Sequence, residues 1–263
     1  MKLTSADGTS IAYDRAGSGP PLILVNGAMT TRTSGSGPSL VAALAERLTV
    51  FSYDRRGRGG SGDTPPYAVQ REIDDLEALV QVAGGQAALY GHSSGACLAL
   101  LAGISLGDAV TGLALYEPPY NDDPAVRQPW IRYLSDLDAA LAAGRRGDAV
   151  ALFMAFVGTP AGQIEQMRRA PFWAGLEAIA PTLAYDHAGV IGPDLSVPVA
   201  LAAQVRVPTL VMYGTRSLAF MEPTARTLAG AIPGAILRGL EGQTHDVNPE
   251  PLAAALLEAL APA

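Results

Sequence analysis

The sequence predicts an α/β fold, a mostly parallel sheet with helices on both faces and a helical cap inserted into it. Three observations carry that prediction. Short apolar runs alternate with helix-patterned stretches along most of the chain, the rhythm of a sheet built from strand–helix units. Residues 22–25 (LILV) are apolar without a break, as in a strand covered on both faces. The alternation stops between Pro118 and about Val205, where only helical patterns occur.

Taken in order, residues 9–15 alternate like a strand and end in the turn-rich Ala16-Gly17-Ser18-Gly19-Pro20-Pro21. After the strand 22–25, residues 39–48 have helical spacing, with Ser39 placed to cap them. A strand over 49–53 follows, then an amphipathic helix over 70–82 whose acidic face carries Glu72, Asp74, Asp75 and Glu77. Residues 87–90 read as a strand and 94–106 as a nearly all-apolar helix. Further strands are expected over 110–116, 208–213 and 235–240, and a closing helix over 249–260. Helices over 130–143, 148–157 and 163–169 fill the interruption. The expected core is therefore 1–117 with 206–263, and the expected cap is 118–205, inserted in the same domain. Such a cap closes over the carboxyl ends of the strands, where open α/β sheets bind their ligands.

At 49% hydrophobic and 16% charged residues, the composition excludes a disordered chain. The net charge of −7 argues against nucleic acid, whose binding depends on clustered Lys and Arg. No run of 18 apolar residues is present, and the N-terminal residues lack the apolar stretch of a signal peptide. No membrane association is expected, and the expected compartment is cytoplasmic. The single cysteine, Cys97, lies in an apolar run and reads as a small buried hydrophobe. No His/Cys/Asp cluster has metal-ligand spacing. The expected partner is a small-molecule substrate, with no cofactor and no metal; a homodimer is left open.

Chemistry is concentrated in Gly91-His92-Ser93-Ser94-Gly95, which follows a predicted strand and opens a predicted helix. A serine there sits on a strained turn, and the flanking glycines permit close backbone approach. With Asn26-Gly27-Ala28 after the LILV strand, and the glycine-rich run Tyr53 to Gly62 after the next, the chain resembles the α/β-hydrolase superfamily along nearly its whole length. The resemblance implies Ser93 as nucleophile and an oxyanion hole on the backbone N–H groups of Ala28 and Ser94. Asn26 stands where the family commonly has His; the oxyanion donors are main-chain, so the exchange leaves them untouched. Arg55, Arg56 and Arg58 in the glycine-rich run read as loop-fixing ion pairs.

His245, in Gly242-Gln243-Thr244-His245-Asp246, lies where the superfamily places its base. Of the other two histidines, His92 reads as structural and His187 as a cap residue lining the pocket. The third triad member departs from the pattern, because Ser217 occupies the usual acid position. Glu117, at the end of the strand 110–116, is the leading substitute, since some lipases of the superfamily take their acid from that strand end. Asp122, Asp123 and an acid-free dyad are the alternatives. Asn26, Met29, Trp130, Phe153, Trp173 and His187 are the candidate substrate-binding residues. The resemblance implies a serine hydrolase acting on a small or medium ester, thioester or lactone. A carbon–carbon bond hydrolase would use the same residues; a lyase, cyclase or ligand-binding receptor on this fold is the reading from another class.

Overall fold

In the computed structural model, residues 1–35 and 37–260 are described; residue 36 and residues 261–263 of the expected core lie outside them. The chain runs β1 (Lys2–Thr4), β2 (Ser10–Ala16), β3 (Pro21–Val25), α1 (Gly37–Leu44), β4 (Thr49–Tyr53), α2 (Val69–Val82), β5 (Ala87–His92), α3 (Ser94–Leu106) and β6 (Val110–Tyr116). Helices α4 (Pro124–Ala142), α5 (Arg146–Phe156), α6 (Ala161–Arg168), α7 (Trp173–Ile179) and α8 (Thr182–Ala184) come next, then one wide π-helical stretch (Tyr185–Ile191) and α9 (Val199–Ala202). The chain closes with β7 (Thr209–Gly214), α10 (Met221–Ala231), β8 (Ile236–Leu240) and α11 (Pro249–Leu260).

All eight strands join one sheet in the order β1-β2-β4-β3-β5-β6-β7-β8. The pairings β1–β2 and β2–β4 are antiparallel, and every pairing from β4 to β8 is parallel. Alternate residues of each central strand feed opposite layers, as the two-residue period of a strand demands. Ile23, Val25, Leu89, Leu113, Leu115 and Val211 pack with α2, α3 and α10; Leu22, Leu24, Tyr90, Ala114, Tyr116 and Met212 pack with α1 and α11. That two-sided burial explains why these strands read as unbroken apolar runs. Cys97 on α3 is fully buried, and burial pushes its thiol up to about 12.

Three local expectations need correction. Helix α1 starts at Gly37, before Ser39, so Ser39 lies inside its first turn and not ahead of it; Pro38 starts the helix early because a first-turn proline gives up an N–H that has no helical partner. The acidic residues of α2 do not share one wet face. Glu72 and Asp75 are buried, drawn inward by Arg55 and Arg56. Strand β1, helices α7, α8, α9 and α10 and the π-helical stretch have no counterpart among the predicted elements.

The helices between β6 and β7 form a layer that packs on α3 through the π-helical stretch. Tyr67 stacks on Tyr185 there, with ring centroids 4.0 Å apart. Among the described residues, no helix is long and apolar enough to cross a membrane.

Candidate active site

Six consecutive loops at the carboxyl edge of the sheet supply the site. Parallel strands point the same way, so the residues just after β3, β4, β5, β6, β7 and β8 gather on one rim: Asn26 to Met29, Arg55 and Arg58, Ser93, Glu117, Gly214 to Ser217, and His245.

Ser93 joins β5 to α3 with φ 56° and ψ −128°. Its own N–H continues the ladder to the carbonyl of Tyr116 at 3.0 Å, while its carbonyl already accepts from Ala96 at 2.9 Å. The chain thus turns from strand to helix on this one residue, a conformation that costs about 1–3 kcal/mol in a non-glycine residue. The flanking glycines make room for it. A Cβ on Gly91 would lie 2.4 Å from the carbonyl oxygen of Gly95, and one on Gly95 would lie 2.1 Å from that of Val25. The loop after β3 closes against the serine, because a Cβ on Gly27 would stand only 3.6 Å from Ser93 Oγ. Ala28 and Met29 follow directly, half-buried against the core, and Met29 also has a positive φ of 57°. Of the four non-glycine residues with positive φ among the described residues, three (Met29, Ser93 and Glu117) stand on this rim.

Glu117 and His245 are brought together. Glu117 Oε2 lies 2.7 Å from His245 Nδ1 and accepts from the Ser217 hydroxyl at 2.8 Å, while Oε1 accepts from the Gly214 N–H at 2.8 Å. The Glu117 side chain is 0% exposed and the His245 side chain 36%, so one face of the imidazole meets the crevice while its partner is sealed from water. Burial raises the carboxyl of Glu117, but His245, the Gly214 N–H and Ser217 outweigh it and hold it below the usual carboxylate range. A carboxylate at Nδ1 fixes the proton on that nitrogen and leaves Nε2 able to accept one. Asp122 and Asp123, the alternative acids, are engaged elsewhere: Asp122 accepts from the Val197 N–H at 2.9 Å, and Asp123 caps α4 through the Ala125 N–H at 2.9 Å.

Two side chains pin the main chain that carries His245. Tyr116 donates its hydroxyl to the Thr244 carbonyl at 2.6 Å, and His92 Nε2 lies 2.9 Å from the His245 carbonyl. A carbonyl only accepts, so His92 carries its proton on Nε2. Burial first, then the neighbouring His245, pulls its ring down to about 4, so it stays neutral.

Behind Ser93 lies a buried charge network in which the sequence reading found only the arginines. Arg55 grips Glu72 with two bonds of 2.7 Å and reaches Asp186 at 2.6 Å; Arg58 holds the second oxygen of Asp186 at 2.5 Å. Asp186 also accepts from the Ser94 hydroxyl at 2.8 Å. Burial works against its charge, but Arg55 and Arg58 overcome it and keep the carboxyl below its ordinary range. Burial also lowers both guanidiniums; Asp186 and Glu72 more than offset this at Arg55, whereas Arg58, repelled by Arg55, stays lowered. Arg56 pairs with Asp75 and Asp7. The arginines are loop-fixing ion pairs, as their run suggested. Three arginines read as ion pairs imply carboxylate partners, but nothing in the sequence singles out Asp186 among them.

The substrate-binding candidates divide. Trp130, Phe153 and His187 belong to one ring cluster: His187 lies 5.4 Å from each of the other two, and its Nδ1 is 2.7 Å from the Tyr133 hydroxyl. Trp173 lies instead among α5, α6 and α7, its N–H given to Glu177 at 2.9 Å and its ring under the Arg168 guanidinium. Asn26 offers its main-chain carbonyl to Arg55 at 3.3 Å.

Residues 22–256 match the alpha/beta hydrolase family. The chain is 50% identical to an alpha/beta hydrolase from Sphaerobacter thermophilus, with 99% of this chain and 100% of that one covered and a TM-score of 0.88. It shares its fold with a thermophilic esterase from Thermogutta terrifontis (23% identity, 98% and 96% covered, TM-score 0.71). The same holds for an enol-lactonase from Burkholderia xenovorans (23% identity, 99% of each chain covered, TM-score 0.69). With an eight-stranded, mostly parallel sheet and a matching profile over most of its length, the chain belongs to the alpha/beta hydrolase family.

Proposed function

We propose that the protein is a serine hydrolase that cleaves a small or medium ester, thioester or lactone through an acyl-enzyme on Ser93. The observation that carries this reading is the Glu117–His245 contact of 2.7 Å on the same rim as the strained Ser93. In this mechanism His245 Nε2 takes the Ser93 proton as Oγ attacks the carbonyl carbon. Glu117 stabilises the imidazolium that forms. The N–H groups of Ala28 and Ser94 receive the oxyanion, the second from the start of α3, where the helix dipole also favours negative charge. The leaving group departs with the proton from His245. Water, deprotonated by the same nitrogen, then releases the acid and frees Ser93. These steps require no cofactor.

The helices between β6 and β7 act in this reading as a cap, with the ring cluster of Trp130, Phe153 and His187 selecting the acyl or alcohol part of the substrate. An acid-free site, with uncharged Ser217 at the usual acid position, would favour a non-hydrolytic lyase, cyclase or receptor; the Glu117 carboxylate in contact with His245 favours the hydrolase. Likeness in fold to an esterase and an enol-lactonase favours an oxygen-ester substrate.

A fluorophosphonate probe with peptide mapping by mass spectrometry tests the reading. The adduct is expected on Ser93 and absent from Ser93→Ala. A folded wild-type protein that labels elsewhere, or not at all, would count against it. A panel of esters, thioesters and lactones then ranks substrates.

A further inference from the structure

The carbonyl of Gly27 and the N–H of Ala28 are two ends of one peptide unit. A trans peptide is planar, with its oxygen and hydrogen pointing in opposite directions, so whatever holds the oxygen aims the hydrogen. Two donors hold this oxygen: Arg58 Nη1 at 2.6 Å and the Thr30 hydroxyl at 2.7 Å. The remaining guanidinium nitrogens of Arg58 are also committed, Nη2 to Asp186 at 2.5 Å and Nε to the Thr182 hydroxyl at 3.1 Å. Asp186 in turn holds the hydroxyl of Ser94, the residue that carries the other candidate oxyanion donor, at 2.8 Å.

We propose that Arg58, oriented by Asp186 from the inserted helices, is a positioning residue for the oxyanion hole, acting through the Gly27–Ala28 peptide. The inference rests on the reading of the Ala28 and Ser94 amides as oxyanion donors. A cation on the Gly27 carbonyl draws electron density from the peptide, which makes the Ala28 N–H a stronger donor as well as a fixed one. Both rims of the hole are tied to one carboxylate, since Asp186 touches Arg58 on one side and Ser94 on the other. Lysine cannot replace Arg58 here, because a point charge does not serve three directions in a plane.

The test uses the rate of Ser93 phosphonylation by a fluorophosphonate, together with kcat and KM for p-nitrophenyl acetate. Losing one oxyanion donor outright costs about 10²–10³ in rate, so misaiming one should cost about 10- to 100-fold in Arg58→Lys. Thr30→Val, which disturbs no buried charge, should cost about 3- to 10-fold, below the loss of a whole donor. The loss should fall on kcat with KM within about twofold, because the contact strengthens only as the oxyanion forms. Arg56→Lys is the control: it disturbs a buried ion pair with Asp75 and a partly exposed one with Asp7 in the same loop but touches neither Gly27 nor Asp186, and should keep its rate within about twofold. Folded Arg58→Lys with a wild-type rate overturns the inference, as does a loss in Arg56→Lys as large as in Arg58→Lys. If Arg58→Lys does not fold, Thr30→Val decides alone, and a wild-type rate there overturns the inference. A wild-type protein unlabelled at Ser93 overturns both the serine-hydrolase reading and this one, whereas labelled wild type with unaffected variants sinks only this one.

Discussion

At the scale of single residues, Glu117 fills the gap that the uncharged Ser217 leaves after the neighbouring strand. It leaves β6 with a positive φ of 47°, and its side chain passes the end of β7 to reach His245 from the loop after β8. Glu117→Gln keeps the shape and removes the charge that stabilises an imidazolium, so kcat should fall about 10²–10⁴-fold in steady-state assays with the fold intact. Ser217→Asp in the wild-type background should lower activity, because it sets a second carboxylate where a hydroxyl now donates to Glu117 at 2.8 Å. Combined with Glu117→Gln, the same substitution should recover part of the lost kcat. A double variant no better than Glu117→Gln alone would show that an acid at 217 does not reach the imidazole. Glu117 was legible in the sequence because a strand end and an uncharged Ser217 together pointed to it. Asp186 was not, since nothing local distinguishes it from a surface aspartate until the fold brings it to Arg55 and Arg58, more than 120 residues away.

At the scale of elements, the central strands were legible because each is covered by helices on both faces and therefore apolar throughout. Strand β1 has three residues and no such pattern, and α10 buries one stripe of Met221, Thr224, Ala225 and Leu228 in which two of the four positions are small or polar. The π-helical stretch was the least legible element, as its wide turn is imposed by packing: Gly189 admits Tyr67, and Asp186 turns inward to the arginines. It also leaves His187 buried and 2.7 Å from the Tyr133 hydroxyl. Burial, followed by Arg58 and Arg55 against the pull of Asp186, lowers His187 to about 4. An unfolded chain takes up that proton near pH 6.5, the native protein only near 4, so the unfolded state binds more protons between them. Stability must fall as pH falls through that window, by roughly 2 kcal/mol at pH 5 for this one group. Melting temperatures of wild type and His187→Phe between pH 7 and 5 measure it. The wild-type curve should drop more steeply, and parallel curves would remove His187 as the cause.

At the scale of the whole molecule, the inserted helices and the sheet share buried charges. The side chains of Asp186, Arg55 and Arg58 are no more than 1% exposed, and stripping one partner from such a pair costs about 3–5 kcal/mol. Undocking the insertion would separate all of them, so it should not melt ahead of the sheet. Both tryptophans, Trp130 and Trp173, lie in the insertion, which makes tryptophan fluorescence a readout of that layer, whereas far-UV circular dichroism reports every helix and strand. In denaturant the two transitions should coincide for the wild type and separate for Asp186→Asn. Early loss of fluorescence in the wild type would show that the ion pairs do not couple the layers. In this chain the helical layer thus delivers one carboxylate to the glycine-rich loop, a fixed point between the two layers.

The lone cysteine carries a practical consequence. Cys97 sits one turn along α3 from Ser93, fully buried, with its thiol pushed up to about 12. The native protein therefore offers solvent no reactive sulfur, and a maleimide or disulfide reagent meets Cys97 only after the sheet and α3 part. A cysteine introduced at an exposed position such as Phe172 would be the sole attachment point on the folded enzyme, ready for a dye or a surface without first engineering any native thiol away.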